Sequence, residues 1–113
     1  MDKSLTNFQK KIGINFKNEK LLLKCFTHKS YNPVDNNEKL EFLGDRVLGL
    51  IISQNLLKFF PNDKEGDLDK KLASLVNKNK CFEIGQQLKL DKIVKIGNLR
   101  SKKKIVEKKI ISD

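Results

Sequence analysis

The chain has 113 residues, enough for one domain around one modest core. Its 24 lysines and arginines outweigh 14 aspartates and glutamates, and the formal net charge of +10 favours a polyanionic partner such as nucleic acid or an anionic membrane surface. No apolar run approaches the roughly 18 residues of a spanning helix, no signal-peptide pattern opens the chain, and Cys25 and Cys81 lack the spacing of a disulfide framework or zinc site.

These features point to a cytoplasmic chain without membrane association, its two thiols in or near the core. Charge alone does not choose the partner. Only Arg46 and Arg100 are arginines, and a lysine, asparagine and isoleucine bias can follow nucleotide composition.

The periodicity is helical almost throughout. Leu5, Phe8 and Ile12 mark a first short helix, and Leu21, Leu22, Leu23 and Phe26 a second, with Gly13-Ile14-Asn15 between them. Asn18 is the expected N-cap of the second. Thr27-His28-Lys29-Ser30-Tyr31 leads into the polar turn Asn32-Pro33-Val34-Asp35-Asn36. Residues 37 to about 60 form the longest periodic segment, stopped by Pro61-Asn62-Asp63. Glu65-Gly66-Asp67 starts a helix through Leu68, Leu72, Leu75 and Val76, and a further helix carries Phe82, Ile84 and Leu88. Residues 93–100 are less regular, with Gly97-Asn98 as a turn. From Lys102 a last helix begins, with Ile105, Ile110 and Ile111 on one side, and the pattern has no stop signal at Asp113. The expected fold class is an all-α helical bundle, truncated in its last helix.

The segment 37–60 holds the chemistry. At about 100° per residue, Glu38, Glu41 and Asp45 fall within roughly 60° of one helix face, opposite an apolar stripe of Leu40, Leu43, Val47, Leu50 and Ile51. The i,i+3 and i,i+4 spacing of like charges costs a few tenths of a kcal/mol per pair. In a lysine-rich chain, carboxylates left uncompensated suggest a divalent cation, and oxygen-only ligands suit Mg²⁺ or Mn²⁺. The plain alternative is a solvated polar face. Phe42 projects near the carboxylate side, as a local cover or an interface anchor. His28, the only histidine, is expected outside the acidic cluster, which argues against histidine-based general acid–base work. It reads as a structural hydrogen-bonding residue, with a place near substrate as the alternative.

Asn37-Glu38-Lys39-Leu40-Glu41-Phe42-Leu43-Gly44-Asp45 resembles the N-E-R-L-E-F-L-G-D signature of the ribonuclease III endonuclease domain, departing only at Lys39. Thr27-His28-Lys29-Ser30 is similar to the family's T-H-x-S segment, and Glu65-Gly66-Asp67-Leu68 to its E-G-x-L helix start. Leu75-Val76-Asn77 resembles the end of that helix, and Ile110-Ile111-Ser112-Asp113 its I-L-A-D segment. The resemblance covers the chain from about Leu5 to its end.

It implies that Glu41, Asp45 and Asp113 are catalytic acids and metal ligands for Mg²⁺, with Mn²⁺ possible, and that Glu38 and Glu65 line the same acidic valley. A first-turn helix acid is the other reading of Glu65, and of Asp67 beside it. It further implies a homodimer with Phe42 at its interface, and metal-dependent hydrolysis of double-stranded RNA to 5′-phosphate ends in ribosomal and other precursor processing. The family's further glutamate, one turn beyond Asp113, and its C-terminal double-stranded-RNA-binding domain are not in this sequence. A non-catalytic duplex-binding or dimerisation module therefore remains the competing expectation. Lys102, Lys103 and Lys104 form the densest part of a basic cluster that either meets RNA phosphates or is a solvated face.

Overall fold

The structure is a computed structural model that describes residues 3–97 and 103–113, without the side chains of 103–107. Six α-helices follow in order: α1 (Lys3–Ile12), α2 (Glu19–Cys25), α3 (Glu38–Phe59), α4 (Glu65–Leu75), α5 (Lys78–Gln87) and α6 (Lys103–Ser112). A 3₁₀ turn at Leu90–Lys92 follows α5. No strand occurs among the described residues; a single parallel bridge joins Thr27 to Lys95. The all-α expectation therefore holds. No described helix is long and apolar enough to cross a membrane.

Local chemistry accounts for the boundaries. Gly13, at φ 72°, closes α1 in the left-handed conformation, with Gly13 N–H donating to Lys10 O and Ile14 N–H to Gln9 O. Asn18 caps α2 as expected, its Oδ1 accepting the Leu21 N–H at 3.0 Å. Asparagines build the turn before α3. Asn32 Oδ1 accepts the Val34 and Asp35 N–H groups, and buried Asn36 donates to Asn32 O while its own Oδ1 accepts from Glu38 N. Asn37 is held from both ends, its N–H on Thr27 O and its Nδ2 on Cys25 O. The start of α3 is thereby fastened to the end of α2.

Among the described residues the buried apolar ones are few: Leu5, Leu22, Leu56, Ile110 and Ile111. Phe8 and Phe26 meet edge-on at 5.3 Å and join α1 to the end of α2. Helix α6 lies against α5 and the 3₁₀ turn. Gly85 permits that approach, since a Cβ there would run into the Ile111 side chain.

Helix α3 packs differently. Its main helical neighbour is α4, which covers Leu56, the only buried residue of α3. Leu43, Val47, Leu50, Ile51, Leu57 and Phe59 are all exposed. The periodic stripe expected opposite the carboxylates exists, but the described residues do not cover it. The chain exposes 8787 Å², against about 6,400 Å² for a compact monomer of this mass.

Candidate active site

Asn37 and the turn before it set the direction of α3, and the first two turns of that helix then present Glu38, Glu41 and Asp45 along one side. Across from them, burial of Ile110 and Ile111 against α5 orients the end of α6 so that Asp113 reaches the same cleft. The cleft encloses about 310 Å³. Four of the expected site residues thus meet there, three from α3 and one that immediately follows α6. Phe42 lies on the rim, exposed, with the Arg46 guanidinium 3.8 Å above its ring and Arg46 Nη1 donating to Phe42 O.

Glu65 is not brought to this cleft within the single chain. It sits at the start of α4 beside Ser53, Leu56, Leu57 and Leu72, where its carboxylate also suits the helix N-terminus. Lys102 lies outside the described residues, as do the side chains of Lys103 and Lys104, so the basic cluster has no described geometry.

The concentration of carboxylates perturbs Glu41. Partial burial raises its pKa first, the negative charges of Asp113, Asp45 and Glu38 add to that, and Lys109 opposes them. Lys109 is the local countercharge on α6. Its Nζ lies 3.2 Å from Asp113 Oδ2, and that hydrogen bond together with the charges of Asp113 and Glu41 raises the lysine's pKa. On the other rim, Lys29 pairs with Glu38 at 3.5 Å.

His28 lines this cleft too, which corrects its placement outside the acidic cluster. Burial lowers its pKa, as do Lys29 and Lys109, against the opposing pull of Asp113 and Glu38. In the sequence His28 has a place near substrate only as its alternative reading, and Lys109 appears only as the last member of the basic cluster. For Lys109 the available signal was its i,i+4 spacing to Asp113. For His28 nothing in the spacing tells that the segment 27–30 folds back beside α3.

The donor set is all oxygen and hard, as Mg²⁺ or Mn²⁺ requires. Among the described residues, no three acidic, histidine or cysteine groups already converge as a finished cage. Mg²⁺ does not need one, because it commonly keeps several waters and binds through one or two carboxylates plus substrate phosphates. The residues present fit such an ion.

A small helical domain with carboxylates from two separate helices facing one cleft is an arrangement suited to metal-assisted phosphodiester hydrolysis. A Ribonuclease-III-like family model matches residues 18–113. The chain is 51% identical to Ribonuclease 3 of Pelagibacter ubique over 105 residues, 93% of this chain and 47% of that protein. Ribonuclease 3 of a Nitratiruptor species is 47% identical over 95 residues, 84% of this chain and 42% of the relative. The crystal structure of the ribonuclease III nuclease domain from Campylobacter jejuni superposes with a TM-score of 0.85 at 34% identity, covering 98% of this chain and 76% of that one. A second structure of that domain, described for flexibility in a region involved in dimer formation, matches with a TM-score of 0.82 at 35% identity, covering 93% and 74%. The chain belongs to the ribonuclease III family, in its nuclease domain. It spans less than half the length of these two curated relatives.

Proposed function

We propose that this chain is a double-strand-specific endoribonuclease, hydrolysing phosphodiester bonds of double-stranded RNA to 5′-phosphate ends in cytoplasmic processing of ribosomal and other structured RNA precursors. The meeting of Glu41 and Asp45 with Asp113 from the end of another helix supports the reading most strongly. The name of the relatives, Ribonuclease 3, supports it as well.

In this reading Glu41, Asp45 and Asp113 are the catalytic acids and hold Mg²⁺, or Mn²⁺ in its place. A bound divalent cation would supply positive charge to the phosphoryl oxygens and acidify a water. Partial burial and the neighbouring acids raise the Glu41 pKa, and a bound divalent cation would relieve that crowding of negative charge. Glu38 supports placement from the rim, where Lys29 holds it. Glu65 belongs to the acidic valley by resemblance alone. A-form RNA offers shape, phosphates and 2′-hydroxyls rather than readable base edges, so sequence selectivity is weak. The exposed apolar face of α3, with Phe42 at its edge, supports a homodimer, since a helix apolar on most of its faces is stable when covered. The dimer-forming region described for the Campylobacter jejuni domain agrees with this.

The competing reading is a duplex-binding or dimerisation module without chemistry. Incubating a long RNA duplex with the chain in Mg²⁺ separates the two. Cleavage with 5′-phosphate ends is expected, and Asp45→Asn should reduce it about 100-fold or more. Undiminished cleavage by the variant rejects the site. Binding without cleavage by the unmodified chain leaves the module.

A further inference from the structure

We propose that His28 contacts the substrate, as a neutral imidazole whose Nε2–H donates to a phosphate oxygen of the RNA strand lying along the carboxylates. This inference rests on the nuclease reading above.

The ring is held by one edge only. His28 Nδ1 lies 2.7 Å from Ser30 Oγ and accepts the backbone N–H of Ser30 at 3.1 Å. A nitrogen that accepts a backbone N–H carries no proton, so the proton of the neutral ring is on Nε2. Ser30 Oγ accepts the Gly97 N–H at 2.9 Å, and with Nδ1 unprotonated its hydroxyl shares the Nδ1 lone pair with the Ser30 N–H. Gly97 makes that approach possible, because a Cβ there would collide with the Ser30 backbone. The main chain is clamped as well, with His28 N–H on Lys95 O and Lys95 N–H on Phe26 O. Every structural bond of this residue therefore runs through its backbone or Nδ1. No described residue hydrogen-bonds Nε2, the edge the ring has left for the cleft.

The chemistry of the cleft gives that edge a use. Ionised carboxylates only accept, and an RNA strand brings further acceptors in its phosphate oxygens. Each of the other donor residues at the cleft already has a partner: Asn37 Nδ2 binds Cys25 O, Lys29 pairs with Glu38, Lys109 pairs with Asp113, and Arg46 lies over the Phe42 ring with Nη1 on Phe42 O. A neutral N–H differs from those lysines in one respect. It can bind a phosphate oxygen without competing as a cation for the carboxylates, so it leaves them to the metal.

Two substitutions test this. In His28→Asn the side-chain oxygen can still accept the Ser30 N–H, but no donor reaches the position of Nε2. In His28→Gln the amide N–H extends to that position. Duplex affinity, KM and kcat, Mn²⁺ affinity without RNA, and the melting temperature are measured on the full chain. His28→Asn is expected to weaken duplex affinity and raise KM about five- to tenfold, the worth of one hydrogen bond. Its Mn²⁺ affinity, kcat and melting temperature should stay near those of the unmodified chain, and His28→Gln should recover most of the loss. Unchanged duplex affinity in His28→Asn overturns the inference, with or without a lower melting temperature, and so does a loss of Mn²⁺ affinity. If the unmodified chain fails to cleave duplex in Mg²⁺, the nuclease reading itself fails. That failure is seen without either variant.

Discussion

The two helices that furnish the cleft are supported in opposite ways. Helix α6 is fixed by its own chain: Ile110 and Ile111 are buried, and Gly85 gives up its side chain to let Ile111 in. Helix α3 carries most of the carboxylates but buries only Leu56, leaving seven large apolar residues from Leu43 to Phe59 in solvent. An acid at the end of a packed helix has its position set by the fold. Acids on a helix open along most of its length have theirs set partly by whatever covers it. The site thus joins a half packed within the chain to a half whose apolar face the described residues leave open.

Substitution of one apolar residue on each helix breaks the comparison most directly. Ile111→Ala removes buried methyl and methylene groups and should lower stability by about 2–4 kcal/mol. Leu50→Ala, on the exposed face of α3, should cost no more than about 0.5 kcal/mol in the monomer. Thermal melts over a range of protein concentrations distinguish the two. The Ile111 effect should appear at every concentration. The Leu50 effect should grow where sedimentation shows association. A Leu50→Ala melt as damaged as that of Ile111→Ala in dilute solution would mean that α3 is covered within the chain after all.

The same contrast explains what was legible beforehand. Glu38, Glu41 and Asp45 share one helix, so 3.6-residue periodicity alone puts them on one face, and the boundary signals at Gly13 and Asn18 act over a few residues. Asp113 joins them only through packing of α6 on α5, a contact between distant segments that spacing cannot supply; the family resemblance pointed to it instead. His28 was misplaced for a related reason. Its approach to α3 depends on the bridge between Thr27 and Lys95 and on the seat of Gly97 against Ser30, both separated by more than sixty residues. The apolar stripe of α3 was visible as a pattern, but a period identifies a face without naming its cover. Glu65 shows the converse: a good motif match whose side chain does not line the cleft of the single chain.

A smaller effect probes the charge on the open half. Glu41 has its pKa raised above an ordinary 4.5, by burial first and then by its acidic neighbours. The folded state therefore holds this proton more tightly than the unfolded chain. Stability falls as pH rises from the unfolded value through the raised folded one, and the penalty persists at neutral pH. Without metal, Glu41→Gln should raise the melting temperature at pH 7, and the gain should fade below pH 4.5. Because Glu41 is only partly buried, solvent screening keeps the shift small. Adding Mg²⁺ should reverse the order, stabilising the unmodified chain more than the variant. A gain that survives unchanged into acid would assign the effect to packing, and would remove the argument that these carboxylates repel one another.

The smallest expected effect concerns the one cation that the packed half contributes to the cleft. Lys109 and Asp113 form an exposed i,i+4 pair, the kind that adds between nothing and about 1 kcal/mol to stability, so Lys109→Gln should hardly move the melting temperature. Its effect on metal binding has a definite sign. The ammonium lies beside Asp113 and within electrostatic reach of Glu41, where it offsets the negative charge that would attract a divalent ion. Removing it should tighten Mn²⁺ binding about two- to fivefold at low salt, with less gain at high salt as screening reduces the repulsion. The opposite result, unchanged Mn²⁺ affinity with weakened duplex binding, would identify Lys109 as a phosphate contact. In that case the packed helix would bring the cleft both an acid for the metal and a cation for the RNA.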